Sequence, residues 1–529
     1  MPNDCISYQK SGYFSPLMND YLDQKTNLQS LYNRFPTFEN FEAQIIEKQT
    51  NFNDSYRNSL VSVLQKQYTG IETSNLSQQN IESLKVNNTF TVTTGHQLNL
   101  FSGPLYFLYK IISTINLTAE LKVKYPAYNF VPIYWMATED HDFEEINYFN
   151  FKGKKFRWNK ESTGPVGRLS TEGLSDFFEI FEQELGSSSN AETLKKLFQN
   201  AYLKHDNLSD ATRYLANRLF GSHGLLIIDG DNADLKRNFI PHIKEELLQQ
   251  TAHKKVLKTT EKLKDYSIQV NPREINLFYI EDKLRERIIL ENGKYLVNNT
   301  KISFSKSEIL ALVESNPEKF SPNVVMRPLY QEVILPNLCY IGGGGEIAYW
   351  LELKSYFDAE KISFPILLVR NSVLLATEKQ NKKADKLDLS WADLFSKQSE
   401  LVNSKAQILS EIDIDLSHLK EQLQTQFNIL NEITTKTDPS FAGAVKAQEI
   451  KQFKGLEKLE KRLLKAEKIK LKDTLTRITD LQNELFPNQS LQERQANFSE
   501  FYIESGEHLI AKLIETLKPL DQRFDIITL

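Results

Sequence analysis

Apolar residues at Leu105, Leu108, Ile112 and Ile115 recur at spacings of three and four, which predicts a helix with one buried face. Ser102, Gly103 and Pro104 supply its start, with Pro104 near the first helical position. Apolar runs without that period flank the helix: "TFTVTT" (89–94) before it and "FVPIYWMA" (130–137) after it. Strand, helix and strand make a βαβ unit, and so a parallel sheet. "GLLIIDGDN" (224–232) reads as a further buried strand with Asp229 and Asp231 at its carboxyl end. "VVMRPLYQEVILPNLCYIGGGGEIAYWLEL" and "FPILLVRNS" (364–372) return the chain to the same core. The predicted fold class is α/β, a Rossmann-like core preceded by mostly helical residues 17–85.

Two stretches interrupt this pattern, near 146–222 and 250–322. In the first, "NYFNFKGKKFRW" alternates like a hairpin and helices follow. In the second, residues 275–299 read as a meander turning at Asn292-Gly293. "KISFSKS" (301–307) precedes "EILALVE", which makes Ser305 or Ser307 a helix cap. Beyond about residue 392 glycine almost vanishes and the period becomes helical. Ile412, Leu416, Leu419, Leu423, Phe427 and Leu430 share one face; after "TKTDPSFAG" a second run carries Leu456, Leu459, Leu463, Leu475, Ile478 and Leu485. Two long helices joined by one turn predict an antiparallel coiled coil. The expected division is 1–391 for the core with its insertions, 392–490 for the coiled coil, and 491–529 for a segment returning to the core, with "RFDIITL" as an edge strand.

Composition narrows the function. The net charge of −5 gives no whole-chain reason to expect a nucleic-acid partner. With only two cysteines, Cys5 and Cys339, neither a disulfide framework nor a multi-cysteine zinc site is expected, and a reducing compartment fits. The first residues do not read as a signal peptide, and no run approaches a membrane span, so a cytoplasmic protein is expected.

Candidate chemistry gathers at strand ends, where open parallel sheets bind ligands. Thr94, Gly95, His96 and Gln97 end the first strand: glycine allows close backbone approach, and His96 and Gln97 can donate to phosphate or carboxylate oxygens. The plainer alternative is a tight turn with a capping histidine. "TEDHDFEE" places Glu139, Asp140, His141, Asp142, Glu144 and Glu145 at the end of the next strand. That cluster suits recognition of a substrate amine, a metal site built on His141 with Asp140 or Asp142, or a solvated acidic loop. The metal spacing is not diagnostic, and the metal requirement stays open. Four consecutive glycines, Gly343 and Gly344 among them, open a helix and expose N–H groups suited to an anion, with Glu346 placed to cap that helix or hold an amine. Arg327, Gln331, Arg370 and Asn371 flank apolar strands; arginine suits bidentate contact with carboxylate or phosphate, although a structural ion pair is the commoner use. Lys110 reads as surface charge and Cys339 as core.

Together, "TTGHQLNLFSGPLYFLYK", "VPIYWMATEDHDFEEIN", "SPNVVMRPLYQEVILP", "YIGGGGEIAYW" and "FPILLVRNS" resemble the cysteine-adding enzymes of bacillithiol synthesis, the BshC type. The resemblance implies a nucleotidyltransferase-like Rossmann core, a dimerising coiled coil with an adenine nucleotide site on its side, and a ligase forming a carbon–nitrogen bond. Its substrates would be cysteine and glucosaminyl-malate, with ATP or ADP as the nucleotide. It places Thr94, Gly95, His96 and Gln97 at the phosphate-binding histidine motif of such enzymes, although Asn99 stands where that motif has a second histidine and no lysine loop is present. Carboxylate activation would use His96 and backbone N–H groups on phosphate, Asp140 or Asp142 on an amine, Arg327 or Arg370 on a carboxylate, and His141 as a candidate base. A metal-dependent hydrolase built on residues 139–145 and a non-catalytic coiled-coil assembly protein are the competing readings.

Overall fold

The computed structural model describes residues 4–529. Five strands form the central sheet: β1 (Thr89–His96), β2 (Asn129–Met136), β3 (Leu226–Asp229), β4 (Asn337–Gly342) and β5 (Ile366–Val369). Their spatial order is β5-β4-β1-β2-β3 and every neighbouring pair is parallel. Helix α1 (Tyr106–Lys124) joins β1 to β2, as its period predicts. Chain order reverses between β1 and β4, and this switch opens a crevice outside their carboxyl ends.

β1 is buried along its whole length although half of it is threonine. Central burial leaves those hydroxyls no water, so each needs a protein partner. Thr91 and Thr93 donate to Asn337 Oδ1 at 3.2 and 2.9 Å, and Thr94 donates to the Ile341 carbonyl at 2.7 Å. All three bonds run to β4, which locks the two strands at the switch point. Cys339 on β4 is fully buried, a core thiol as expected.

The first insertion carries the predicted hairpin, Tyr148–Phe151 against Lys154–Arg157, and three helices. Its Phe149, Phe181 and Phe198 surround Phe101 in the turn after β1, at ring separations of 5.7, 5.6 and 5.3 Å. The second insertion forms an antiparallel sheet turning at Asn292 (φ 48°) and Gly293 (φ 74°), the left-handed pair a two-residue hairpin requires. Ser305 caps the helix Lys306–Ser315, its Oγ accepting from the Glu308 N–H while Glu308 accepts from the Ser305 N–H.

Helix Ser417–Thr434 packs on the first part of Ser440–Lys470 in an antiparallel hairpin, with Gln424 donating to Glu449 and Lys420 paired to Glu460. The C-terminal stretch does return to the core, but not as an edge strand of the parallel sheet. Arg523–Thr528 is the middle strand of a separate three-stranded sheet, between Asp4–Ser7 and Ser372–Ala376. Its apolar alternation is that of a strand paired on both sides, which the sequence alone could not distinguish from an edge. Among the described residues no helix is long and apolar enough to cross a membrane.

Candidate functional site

A cleft of about 800 Å³ lies over the carboxyl ends of β1, β2 and β4. Its floor is an ion pair. Lys110, on the first turns of α1, reaches back to bond the Gly95 carbonyl at 2.6 Å and pairs with Glu346 Oε2 at 2.6 Å. Glu346 stands in the first turn of α3 (Gly344–Leu351), where it accepts from the Gly343 N–H at 2.8 Å and from the Tyr340 hydroxyl at 3.0 Å. Lys110 is buried, contrary to its reading as surface charge: its position looks polar in the helix period, but it faces the strand end. Burial pushes its ammonium down despite Glu346. Burial opposes the Glu346 charge too, but Lys110, with the Gly343 and Tyr340 bonds, holds that carboxyl below its ordinary value.

His96 lines the cleft with Nε2 buried and unpartnered. Burial, then the charges of Lys110 and Arg370, hold its imidazole well below the usual histidine range, with a bond to the Ser102 backbone opposing them. It is neutral at physiological pH, and its Nε2 has no hydrogen-bond partner. Gly95 is closely packed: a Cβ there would lie 3.2 Å from the Tyr340 hydroxyl and 3.7 Å from Arg327. The following turn is strained, with Phe101, Ser102 and Gly103 at φ 48°, 67° and 61°. Asn497 holds it by donating to the carbonyls of Phe101 and Gly103 at 2.9 and 2.6 Å.

The acidic stretch divides. Glu139 turns inward to Lys236 at 2.5 Å; burial raises its carboxyl and Lys236 works against that rise. Asp140 faces the cleft. Burial would raise it, but bonds from His141 and Gln97 and the Arg285 charge hold it well below the usual carboxylate range. His141 Nδ1 accepts from Arg285 at 2.7 Å, which leaves the proton on Nε2. Asp142 is exposed at the rim. Among the described residues no three His, Cys, Asp or Glu side chains are placed to hold one metal ion.

The remaining candidates separate by position. Arg327, at the start of α2 (Arg327–Ile334), lines the cleft and bonds Gln331 at 3.1 Å and the Tyr349 hydroxyl at 3.3 Å. Gln331 lies buried beneath it, donating to Glu332 at 3.0 Å. Arg370 is at the cleft wall, but both its terminal nitrogens bond Glu493, at 3.0 and 2.7 Å. Asn371 lies outside the cleft, tied to Ser113 and the Lys518 carbonyl. Thr94 is spent on Ile341. Gly343 borders the cleft, whereas Gly344 faces a smaller pocket beside it.

Sequence reasoning missed the charge that dominates the cleft. Arg273, Arg287 and Arg494 line it with Arg327, and among the described residues none of the four has a carboxylate ion-pair partner. Arg285, stacked on Phe278 at 4.1 Å, has only a long contact to Asp140 at 3.8 Å. A signal was present: Arg285 and Arg287 are two apart on a strand and share a face. That their face meets the strand ends required the insertion's placement.

Fold and site together define a Rossmann-like α/β protein with an anion-receptive cleft at its switch point and a helical hairpin appended. Residues 1–371 match the model of the "Bacillithiol biosynthesis BshC, N-terminal Rossmann-like domain" and residues 373–529 that of the "Bacillithiol biosynthesis BshC, C-terminal coiled-coil domain". Relatives named "Putative cysteine ligase BshC" include one from Flavobacterium johnsoniae, 71% identical over the whole of both chains. Another, from Flavobacterium psychrophilum, is 65% identical over 100% of this chain and 99% of its own. One from Bacillus cereus is 26% identical over 96% and 97%. The chain belongs to the BshC family of bacillithiol biosynthesis.

Two stability predictions follow from this geometry. Glu346→Gln strands a buried ammonium and should cost roughly 3 kcal/mol. Lys110→Met leaves a carboxylate that still reaches cleft water and should cost less. The double variant should be more stable than the sum of the two losses implies; additive losses in denaturant titrations would contradict a coupled pair. Glu352, at the end of α3, accepts from the Gln269 and Val270 N–H groups and so anchors the segment that carries Arg273. Burial raises its carboxyl to about 7 from an ordinary 4.5. The folded chain therefore keeps this proton over a range where the unfolded chain has lost it, and stability falls as pH rises through that window. Glu352→Gln should flatten that slope; an unchanged slope in pH-dependent unfolding would assign it to another group.

Proposed function

We propose that the protein is a cysteine ligase that joins L-cysteine to glucosaminyl-malate through an amide bond, the last step of bacillithiol biosynthesis. The observation that carries this reading is the set of four arginines without carboxylate partners around one cleft. Arg327 is half-buried and Arg273, Arg287 and Arg494 are exposed, so their guanidinium groups are open to an anion entering the cleft. The malate part of glucosaminyl-malate presents two carboxylates, and guanidinium groups bind carboxylates bidentately. Asp140, held ionised at the cleft edge, offers an acceptor for a substrate ammonium or hydroxyl.

Condensing a carboxylate with an amine needs activation. An adenine nucleotide, ATP or ADP, fits the excess of positive charge, and when bound it supplies the chemistry that activates the carboxyl. In this reading the first-turn amides of α3 orient its anionic groups, and the neutral His96, whose ring N–H is spent on the Ser102 backbone, offers Nε2 as a proton acceptor. The acidic stretch gives a hydrolase less support, because Glu139 is committed to Lys236.

Cells lacking this gene should contain no bacillithiol and should accumulate glucosaminyl-malate, read by mass spectrometry of small thiols. The wild-type gene should restore the thiol; His96→Ala and Arg327→Ala should fold and fail to restore it. Normal thiol levels without the gene would overturn the reading. We further propose a homodimer through the coiled coil, supported by exposed Ile429 and Ile433, 56% and 46% accessible on one helix. Sedimentation velocity should show Ile429→Asp/Ile433→Asp as a monomer, and a persistent dimer would place the interface elsewhere.

A further inference from the structure

Beside the main cleft lies a second cavity of about 190 Å³, and the two share Gly343, Gly345, Arg370 and Arg494 at their junction. It is too small for a nucleotide or a glycoside. Phe14, Met18 and Ala348 give it apolar lining, and the glycine turn with Arg370 and Arg494 gives it polar lining. The first-turn amides of α3 at Gly344 and Gly345 have no intrahelical acceptors and carry the positive end of the helix. A second, independent feature points the same way. Arg370 is 3% exposed, its Nη groups are bound to Glu493, and its Nε is buried without a partner at the wall of this cavity. That Nε lies 3.8 Å from where a Cβ on Gly343 would stand, so it faces the glycine turn.

The run of glycines is explained by the same space. A Cβ at Gly344 would touch Met18 and Phe14 at 3.4 Å, and one at Gly345 would project into open space at the junction. Neither glycine has a positive φ, so backbone conformation does not demand them. What they preserve is the opening and the width of the cavity.

We propose that this side cavity is the amino-acid subsite, taking a small α-amino acid with a compact apolar or thiol side chain. The side chain sits against Phe14 and Met18, where a polarizable sulfur gains from the ring and the thioether. The carboxylate lies at the junction, toward the Gly344 and Gly345 amides, Arg370 Nε and Arg494, and so faces the cleft. Gln269 on the wall supplies an acceptor for the ammonium. The proposal rests on reading the cleft as the site of a dicarboxylate partner, and it divides the two substrates between two adjoining spaces.

Calorimetric titration of the full-length protein tests it, with L-cysteine, L-alanine and L-methionine as probes of the side cavity and L-malate as the probe of the cleft. Ala348→Leu fills the cavity and should weaken L-cysteine roughly tenfold or more while leaving L-malate binding unchanged. Phe14→Ala, at a partly exposed position, enlarges the cavity and should tighten L-methionine several-fold relative to wild type. Should Ala348→Leu fail to fold, the gain in methionine binding by Phe14→Ala decides. Wild-type affinity for cysteine in a folded Ala348→Leu, no change in methionine binding by Phe14→Ala, or no binding of either small amino acid to wild type would each overturn the subsite. Arg273→Ala/Arg287→Ala should weaken L-malate and spare L-cysteine; malate binding that survives this change would sink the cleft reading instead.

Discussion

One ion pair holds the site together. Lys110 and Glu346 come from helices on either side of the point where chain order reverses, and their contact joins the Gly95 carbonyl at the end of β1 to the Gly343 amide at the end of β4. It adds a link at the strand ends to two strands that their ladder and the Thr91, Thr93 and Thr94 bonds already hold in register. The pair brings no net charge, so the field in the cleft is left to the arginines above it. Its own burial, then the charges of Lys110 and Arg370, keep His96 neutral, and its Nε2 has no partner. A hydrophobic pair of similar size could pack there with equal stability. It could not bond a carbonyl, an amide and a tyrosine hydroxyl at once, and it would leave those three groups unsatisfied.

The arginines divide by partner. Arg370 is neutralised by Glu493, and it serves mainly as a wall. Arg285 is shared between His141, Asp140 and the face of Phe278, which fixes the acidic loop against the second insertion. Arg273, Arg287, Arg327 and Arg494 remain, and they come from four separate segments of the chain. Arg273, Arg287 and Arg494 are exposed, so solvent screens their mutual repulsion, and together with half-buried Arg327 they leave the cleft positive. An anion of at least two charges is the simplest complement.

Much of the fold was legible because its signals are local. The period of α1, the apolar runs of β1 and β2, the Asn292-Gly293 turn and the Ser305 cap each depend on a few adjacent residues, and each appears where its pattern puts it. The strand-end rule led to His96, Gln97, Asp140, Arg327 and Glu346, which do line the cleft. It failed at Asn371 and Thr94, because position at a strand end does not say which way a side chain turns; both turn inward to satisfy buried partners. It could not reach Arg273, Arg287 or Arg494, because their presence depends on how insertions and C-terminal residues fold over the sheet. Lys110 was misread for a related reason: a charge on a helix is assigned to solvent unless something buried is known to need it.

The boundary between the two family models falls between residues 371 and 373, yet the cleft does not respect it. Glu493 fixes Arg370, Arg494 lines both cavities, and Asn497 restrains the strained Phe101–Gly103 turn that follows His96. All three lie just beyond the coiled coil, where the chain re-enters the body. The strand Arg523–Thr528 then pairs with Ser372–Ala376, which begins two residues after Arg370. A displacement of the helical hairpin's base would thus reach the turn after His96, the glycine turn and the cleft wall together. The Rossmann-like unit therefore cannot present a complete site alone; the appended helices are anchored by the same residues that finish the cleft, and folding of the second unit is a condition for the geometry of the first.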